Sequence, residues 1–165
     1  MRPLRVYMCD LTHDTIVLVS DTIPINIGFI ASYAKKRFGA DIDVSLYKYP
    51  RSVLDAIDEN PPDIIALSNY SWNSNLSERV ARYAKQSNPN VVTVQGGTNF
   101  PHLAAHQRSY LTNRPATDFH TVFEGETAFC NLVERVLSIG NPKDLFASPV
   151  DGAVFIDPTT RRCAN

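Results

Sequence analysis

Short, β-rich apolar runs alternate along the chain with segments whose apolar residues recur at helical spacing. This alternation predicts βαβ units built on a parallel sheet. The first run, Leu4 to Cys9, ends at Asp10. A polar, proline-containing stretch follows, and from Pro24 the positions Ile27, Ile30, Ala34 and Phe38 give a helix one apolar face. Pro24 suits its first turn and Gly39 its C-cap. Asp43 to Tyr47 is the second strand, and a helix from about Arg51 to Asn60 stops at Pro61-Pro62, because proline cannot continue it. Asp63 to Ser68 is nearly unbroken apolar, the pattern of a strand buried on both faces, which places it at the centre of the sheet. Leu76, Val80, Tyr83 and Ala84 mark a third helix ending at Asn88-Pro89, and Val91 to Val94 is a fourth strand running into Gly96-Gly97. A less regular helix from Pro101 to about Leu111 precedes a fifth strand, Phe119 to Phe123, and a helix carried by Phe129, Leu132, Val133, Val136 and Leu137. The expected fold is therefore α/β and doubly wound: a five-stranded, mainly parallel sheet in the flavodoxin-like order 2-1-3-4-5, with helices on both faces. Beyond Gly140, the residues Pro142, Pro149 and Pro158 surround one strand-like piece, Ala153 to Ile156. Residues 1–140 are read as the domain and 141–165 as a linker.

With 165 residues, 44% of them hydrophobic, the chain can bury one core of ordinary size but not two. Lys and Arg number 16 against 17 Asp and Glu, a net charge of -1, and no run of one sign concentrates a field. Capture of nucleic acid or of an anionic membrane by charge is thus not expected. No stretch reaches the roughly 18 apolar residues of a membrane helix. The Met1-Arg2-Pro3-Leu4-Arg5 start has no apolar segment behind its charges, so a cytoplasmic location is expected. The three cysteines, Cys9, Cys130 and Cys163, are far apart and in no CxxC spacing, which argues for reduced thiols rather than a disulfide framework or a metal site.

In an open parallel sheet, ligands bind beyond the carboxyl ends of the strands. The segments to inspect are therefore Asp10 to Asn26, Ser68 to Asn75, Gly96 to Pro101 and Glu124 to Thr127. Gly96-Gly97-Thr98-Asn99 lets a ligand or another backbone approach the main chain, although a tight βα turn accounts for it equally. Ser68-Asn69-Tyr70-Ser71-Trp72-Asn73 combines hydrogen-bonding groups with two aromatic rings, as a loop cap or as a wall for a flat amphipathic ligand. In Phe123-Glu124-Gly125-Glu126-Thr127, acids at a helix start are already favoured by the macrodipole. Asp10 resembles one acid of a receiver-domain pocket, but Glu124-Gly125 stands where that pocket needs a lysine. The four histidines, His13, His102, His106 and His120, have no metal-ligand spacing, and His102 and His106 are expected in solvent. P-loop, dinucleotide, nucleophile-elbow and Cys/His signatures are missing, so the residues alone describe a ligand cleft without catalytic groups.

Taken in order, the segments Pro24 to Tyr33 with Gly28 and Ser32, Pro62 to Ser68, Val94-Gln95-Gly96-Gly97 and Phe123-Glu124-Gly125-Glu126 resemble the N-terminal cobalamin-binding domain of B12-dependent radical SAM enzymes. Asp151-Gly152-Ala153-Val154-Phe155-Ile156-Asp157 is similar to the linker that joins that domain to the radical SAM barrel. The resemblance implies cobalamin held with its dimethylbenzimidazole tail tucked beside the sheet. Ser68 would hydrogen-bond the tail, Gly96, Gly97 and Thr98 would line its channel, and Tyr70 and Trp72 would meet the tail or the corrin rim, with Asn69 and Asn99 also among the cofactor-binding residues. Glu124, Gly125 and Glu126 would stand at the corrin or nucleotide edge. No Asp-x-His-x-x-Gly precedes the first helix, since His13 is followed by Asp14-Thr15-Ile16, which implies cobalt without a protein histidine ligand. The family's usual GGPH is Gly96-Gly97-Thr98-Asn99 here, and Phe123 replaces the first glycine of its GEGE. The implied function is cofactor binding for methyl transfer or a radical rearrangement. The 4Fe-4S cluster and S-adenosylmethionine would lie on a downstream barrel of the same polypeptide, with this stretch as its non-catalytic part. The alternative is a flavodoxin-like nucleotide- or flavin-binding or regulatory module without cobalamin, favoured if the Tyr70 and Trp72 loop closes over Gly96-Gly97.

Overall fold

The computed structural model describes residues 2–13, 22–139, 142–157, 160 and 163–164. The Asp14-Thr15-Ile16 stretch, Gly140 and Pro158 lie outside them. Five strands alternate with five helices: β1 (Leu4–Cys9), α1 (Ile25–Phe38), β2 (Ile42–Tyr47), α2 (Pro50–Glu59), β3 (Ile64–Ser68), α3 (Ser74–Ser87), β4 (Val92–Gly96), α4 (Ala104–Thr112), β5 (Phe119–Thr121) and α5 (Gly125–Ser138). β1 pairs in parallel with β2 and β3, and β4 in parallel with β3 and β5. This reproduces the expected 2-1-3-4-5 order. The expectation of five strands, however, is corrected. β6 (Ala153–Ile156) adds to the free edge of β5 and β7 (Cys163–Ala164) to β6, giving seven strands among the described residues in the order β2-β1-β3-β4-β5-β6-β7. Both additions are antiparallel, so the sheet is mixed.

The strand period of two distributes the apolar residues to both faces. Val6, Met8, Ile64, Val92, Val94 and Phe119 face α1 and α5, where Ile27, Ala31 and Ala34 meet Phe129, Leu132 and Val133. Tyr7, Cys9, Ile65 and Leu67 face α2 and α3 and pack on Val53, Ile57, Val80 and Ala84. β3 lies between β1 and β4 with every residue buried except Ala66, as its unbroken apolar run predicts. Cys9 and Cys130 are buried, and Cys163 is half-buried. β5 stops two residues short of the expected Phe123, because that residue turns into the left-handed region at φ 60°. α4 begins at Ala104 rather than Pro101, after an extended Leu103. Among the described residues, no helix is long and apolar enough to cross a membrane.

The segment after residue 140 packs as core. Leu145, Val150, Ala153 and Phe155 join the cluster between the sheet and α5, and Phe155 contacts the Phe119 ring at a centroid distance of 5.2 Å. Arg135 of α5 donates to the carbonyls of Ser148 and Pro149, each at 3.1 Å. Replacing Phe155 with Ala should therefore lower unfolding stability by about 3 kcal/mol, measured by urea denaturation. An unchanged midpoint would mean that this segment adds nothing to the fold.

Candidate functional site

The loops after β3, β4 and β5 meet at the carboxyl edge of the sheet, and the first two are joined through their backbones. The Asn69 N–H donates to the Gly96 carbonyl at 2.7 Å, and the Asn99 N–H donates to the Asn69 carbonyl at 3.1 Å. A Cβ on Gly97 would stand 2.6 Å from the Asn69 carbonyl oxygen, and Gly97 has φ 136°. Only glycine permits both this approach and this backbone. The loop after β3 is shaped by Asn73, whose Oδ1 accepts from the Tyr70 N–H at 2.8 Å and whose Nδ2 donates to Ser68 Oγ at 2.8 Å. Ser68 Oγ in turn donates to Asp10 Oδ1 at 2.5 Å.

On the α3/α4 side of the sheet, the strand ends are filled by a polar hub. Asn69 Nδ2 donates to the Asn99 carbonyl at 3.0 Å and to His120 Nε2 at 2.9 Å, and Asn69 Oδ1 accepts from Tyr110 Oη at 3.0 Å. His120 is fully buried. Its Nδ1–H donates to the Thr121 carbonyl at 2.8 Å, which assigns the neutral tautomer with Nε2 as acceptor. The ring stacks on Phe100 at 3.8 Å. Burial pulls the His120 pKa down to about 4, against a smaller opposing effect of its bond to Thr121. Beside His120 in the sheet register lies Gln95, also fully buried. Among the described residues, neither its Nε2 nor its Oε1 has a hydrogen-bond partner.

A cavity of about 740 Å³ opens at this edge. On the α1/α5 side it forms a slot above Met8, Ala66, Val94 and Gly96, with Ile27 and Ile30 from α1 on one side and Phe129 from α5 on the other. The slot exists because small residues sit where the neighbouring strand positions carry large ones. Ala66 and Gly96 are half-buried although they belong to central strands. Gln95 borders the same cavity, but its side chain is fully buried on the other face of the sheet, beside His120.

Of the residues singled out in the sequence, Ser68, Tyr70, Gly96 and Gly97 line this cavity, together with Thr98, Gly125 and Glu126. Asn69 and Asn99 lie behind it and tie the loops together. Trp72 is exposed and stacks on Tyr70, with centroids 4.7 Å apart. Tyr70 Oη accepts from Asn26 Nδ2 at 3.0 Å. The two rings therefore pack against each other, Asn69 is the residue that meets Gly97, and the cavity stays open. Glu124 precedes α5 with an exposed side chain and does not line the cavity. His102 and His106 are exposed, as expected. His13 Nε2 is 2.9 Å from the Trp72 carbonyl. Sequence reading missed Gln95 and His120. The available signal was the Val92-Thr93-Val94-Gln95 alternation, which puts two polar side chains on an inward face.

Residues 13–133 match the B12 binding domain family. The chain belongs to the B12-binding domain family. This B12-binding domain is 34% identical over 122 residues to the cobalamin-dependent radical SAM methyltransferase TokK of Streptomyces tokunonensis, a match covering 70% of this chain and 17% of that protein. It is 32% identical over 122 residues to 2-(S-pantetheinyl)-carbapenam-3-carboxylate methyltransferase of Streptantibioticus cattleyicolor, covering 69% and 17%. The match thus spans about a sixth of each relative's length. In fold it is similar to the cobalamin-dependent S-adenosylmethionine radical enzyme OxsB, solved with aqua-cobalamin and S-adenosylmethionine bound, at TM-score 0.73 and 14% identity over 99% of this chain and 22% of that one. A cobalamin-binding protein from Desulfitobacterium hafniense DCB-2 gives TM-score 0.57 at 11% identity, covering 81% and 59%.

Two measurements check this geometry. Gly97→Ala should lower stability by about 2 kcal/mol in urea, because the methyl group meets the Asn69 backbone and the residue keeps a strained φ. His120 binds a proton more readily unfolded than folded, so stability should fall on acidification from about pH 6.5 toward 4. The loss should be about 2 kcal/mol between pH 7 and 5. A His120→Asn variant whose urea midpoint declines as steeply would show that another group causes the dependence.

Proposed function

We propose that this domain holds cobalamin as the cofactor platform of a B12-dependent radical SAM methyltransferase, with the dimethylbenzimidazole tail in the slot between α1 and α5. The observation that carries the reading is the opening left by Ala66 and Gly96 in the middle of an otherwise filled sheet. The family match and the two methyltransferase relatives support the choice of cofactor and of reaction class. The residues present fit the group. The slot walls are apolar, the small Ala66 and Gly96 leave room for a flat ring system between α1 and α5, and the Gly97 backbone lines the opening.

Ser68 Oγ, gripped between Asp10 and Asn73, would bond the tail nitrogen by turning its single proton away from Asp10. Gly96, Gly97 and Thr98 would line the tail, Tyr70 would meet its flank with Trp72 stacked behind it, and Gly125 and Glu126 would face the cofactor edge. Asn69 and Asn99 would act through the loops they hold. Cobalt would have no histidine ligand from this chain: none of the four histidines stands in an Asp-x-His-x-x-Gly, both ring nitrogens of His120 are engaged, and His13 Nε2 bonds the Trp72 carbonyl. Bound cobalamin would supply the methyl-transfer chemistry, while this chain binds it, orients it and excludes water from its tail. The barrel carrying the 4Fe-4S cluster and S-adenosylmethionine would be a further domain of the same polypeptide.

Incubation with hydroxocobalamin followed by desalting should leave corrin absorption with the protein. Ala66→Leu should abolish retention while changing the unfolding free energy in urea by less than about 1 kcal/mol, since its added carbons enter open space rather than packed core. An A66L protein that retains cobalamin as the wild type does would remove the tail from the slot.

A further inference from the structure

Phe123 holds an entire aromatic side chain in water at the edge of the cavity: it lines that cavity and is 99% exposed. Among the described residues, it is also the non-glycine residue with positive φ, at 60°. That conformation crowds Cβ against the following carbonyl, and large side chains rarely adopt it. Neither feature helps the fold. A glycine would relieve the backbone, and a ring this exposed contributes no packing. Exposed apolar area and backbone strain, placed together on a residue facing a cavity, point to a ligand. A second exposed ring, Phe29 of α1, lines the same cavity at 60% exposure, so the α1 side and the β5-α5 loop each present an aromatic group.

We infer that Phe123 is a binding-determining residue whose ring covers the apolar surface of the cofactor held in this cavity. The inference deepens the cobalamin reading and rests on it. The left-handed backbone aims the ring outward from the end of β5. Gly125, two residues on, lies close against α1, where an added Cβ would stand 3.0 Å from Ile30 Cδ1. The loop is thus braced on α1 at Gly125, while the ring at 123 remains free to receive a partner.

Wild type, Phe123→Ala and Phe123→Gly proteins are titrated with hydroxocobalamin by visible absorption and melted without ligand. Both variants should bind about tenfold more weakly, the loss expected when a buried aromatic contact is removed. F123G should melt about 2–4 °C higher than wild type as its strain is relieved. F123A, which keeps a Cβ, should melt with the wild type. Two variants that bind as tightly as the wild type would overturn the inference and leave the cobalamin reading intact, as the ring would then serve another contact. Weakening in F123G alone would also overturn it, because loop stiffness rather than the ring would be responsible. An F123A protein less stable than wild type would mean that the ring packs within the fold, and would count against it too. A wild-type protein that retains no cobalamin would bring down both readings.

Discussion

The carboxyl edge of this sheet is organised by one close approach, the backbone of Gly97 against the backbone of Asn69. Two strand-end loops that pass this near each other have no space for a side chain between them, so they behave as a single layer. Once they are joined, the Asn69 side chain is sealed beneath them, and a sealed carboxamide must find partners for its donors and its acceptor. It finds them in the Asn99 carbonyl, His120 and Tyr110. His120 can accept that bond only while neutral. The same neutral ring donates to the Thr121 carbonyl and stacks on Phe100.

The two sides of the sheet end therefore have opposite characters. On the α3/α4 side the polar hub fills the space and stiffens the loops from behind. On the α1/α5 side Ala66 and Gly96 leave it open. A cofactor platform needs this asymmetry, because a slot keeps its shape only if its backing cannot collapse into it. Gln95 sits where the two characters meet, buried with the hub and lining the cavity, and its amide is unmatched within the described residues.

Much of the fold was legible in local pattern. The Asp63 to Ser68 run announced a central strand, and Pro61-Pro62 and Asn88-Pro89 marked helix ends within a residue or two of where they fall. β6 was visible as a strand-like piece, but nothing local said which edge it would join or in which direction. β7 has two residues, too few for any periodicity, and exists only through its pairing with β6. That Ser68, Tyr70, Gly96 and Gly97 would border one cavity was legible because strand ends in a parallel sheet converge. Gln95 was signalled only by its alternation with Val94, and His120 not at all, because one polar residue in a three-residue strand looks the same whether it faces water or a sealed pocket.

Sequence by itself determined the order of elements, the face each apolar residue takes and the places where glycine is needed. These depend on backbone preference and on periods of two or 3.6 residues, which neighbouring positions carry. Tertiary structure alone decided which polar groups are satisfied, which are left over and where space remains. The Ser68 proton is claimed by Asp10 from 58 positions away, and His120 is claimed by Asn69 across 51. Hydrogen-bond partners and voids arise only when such distant segments are brought to one edge.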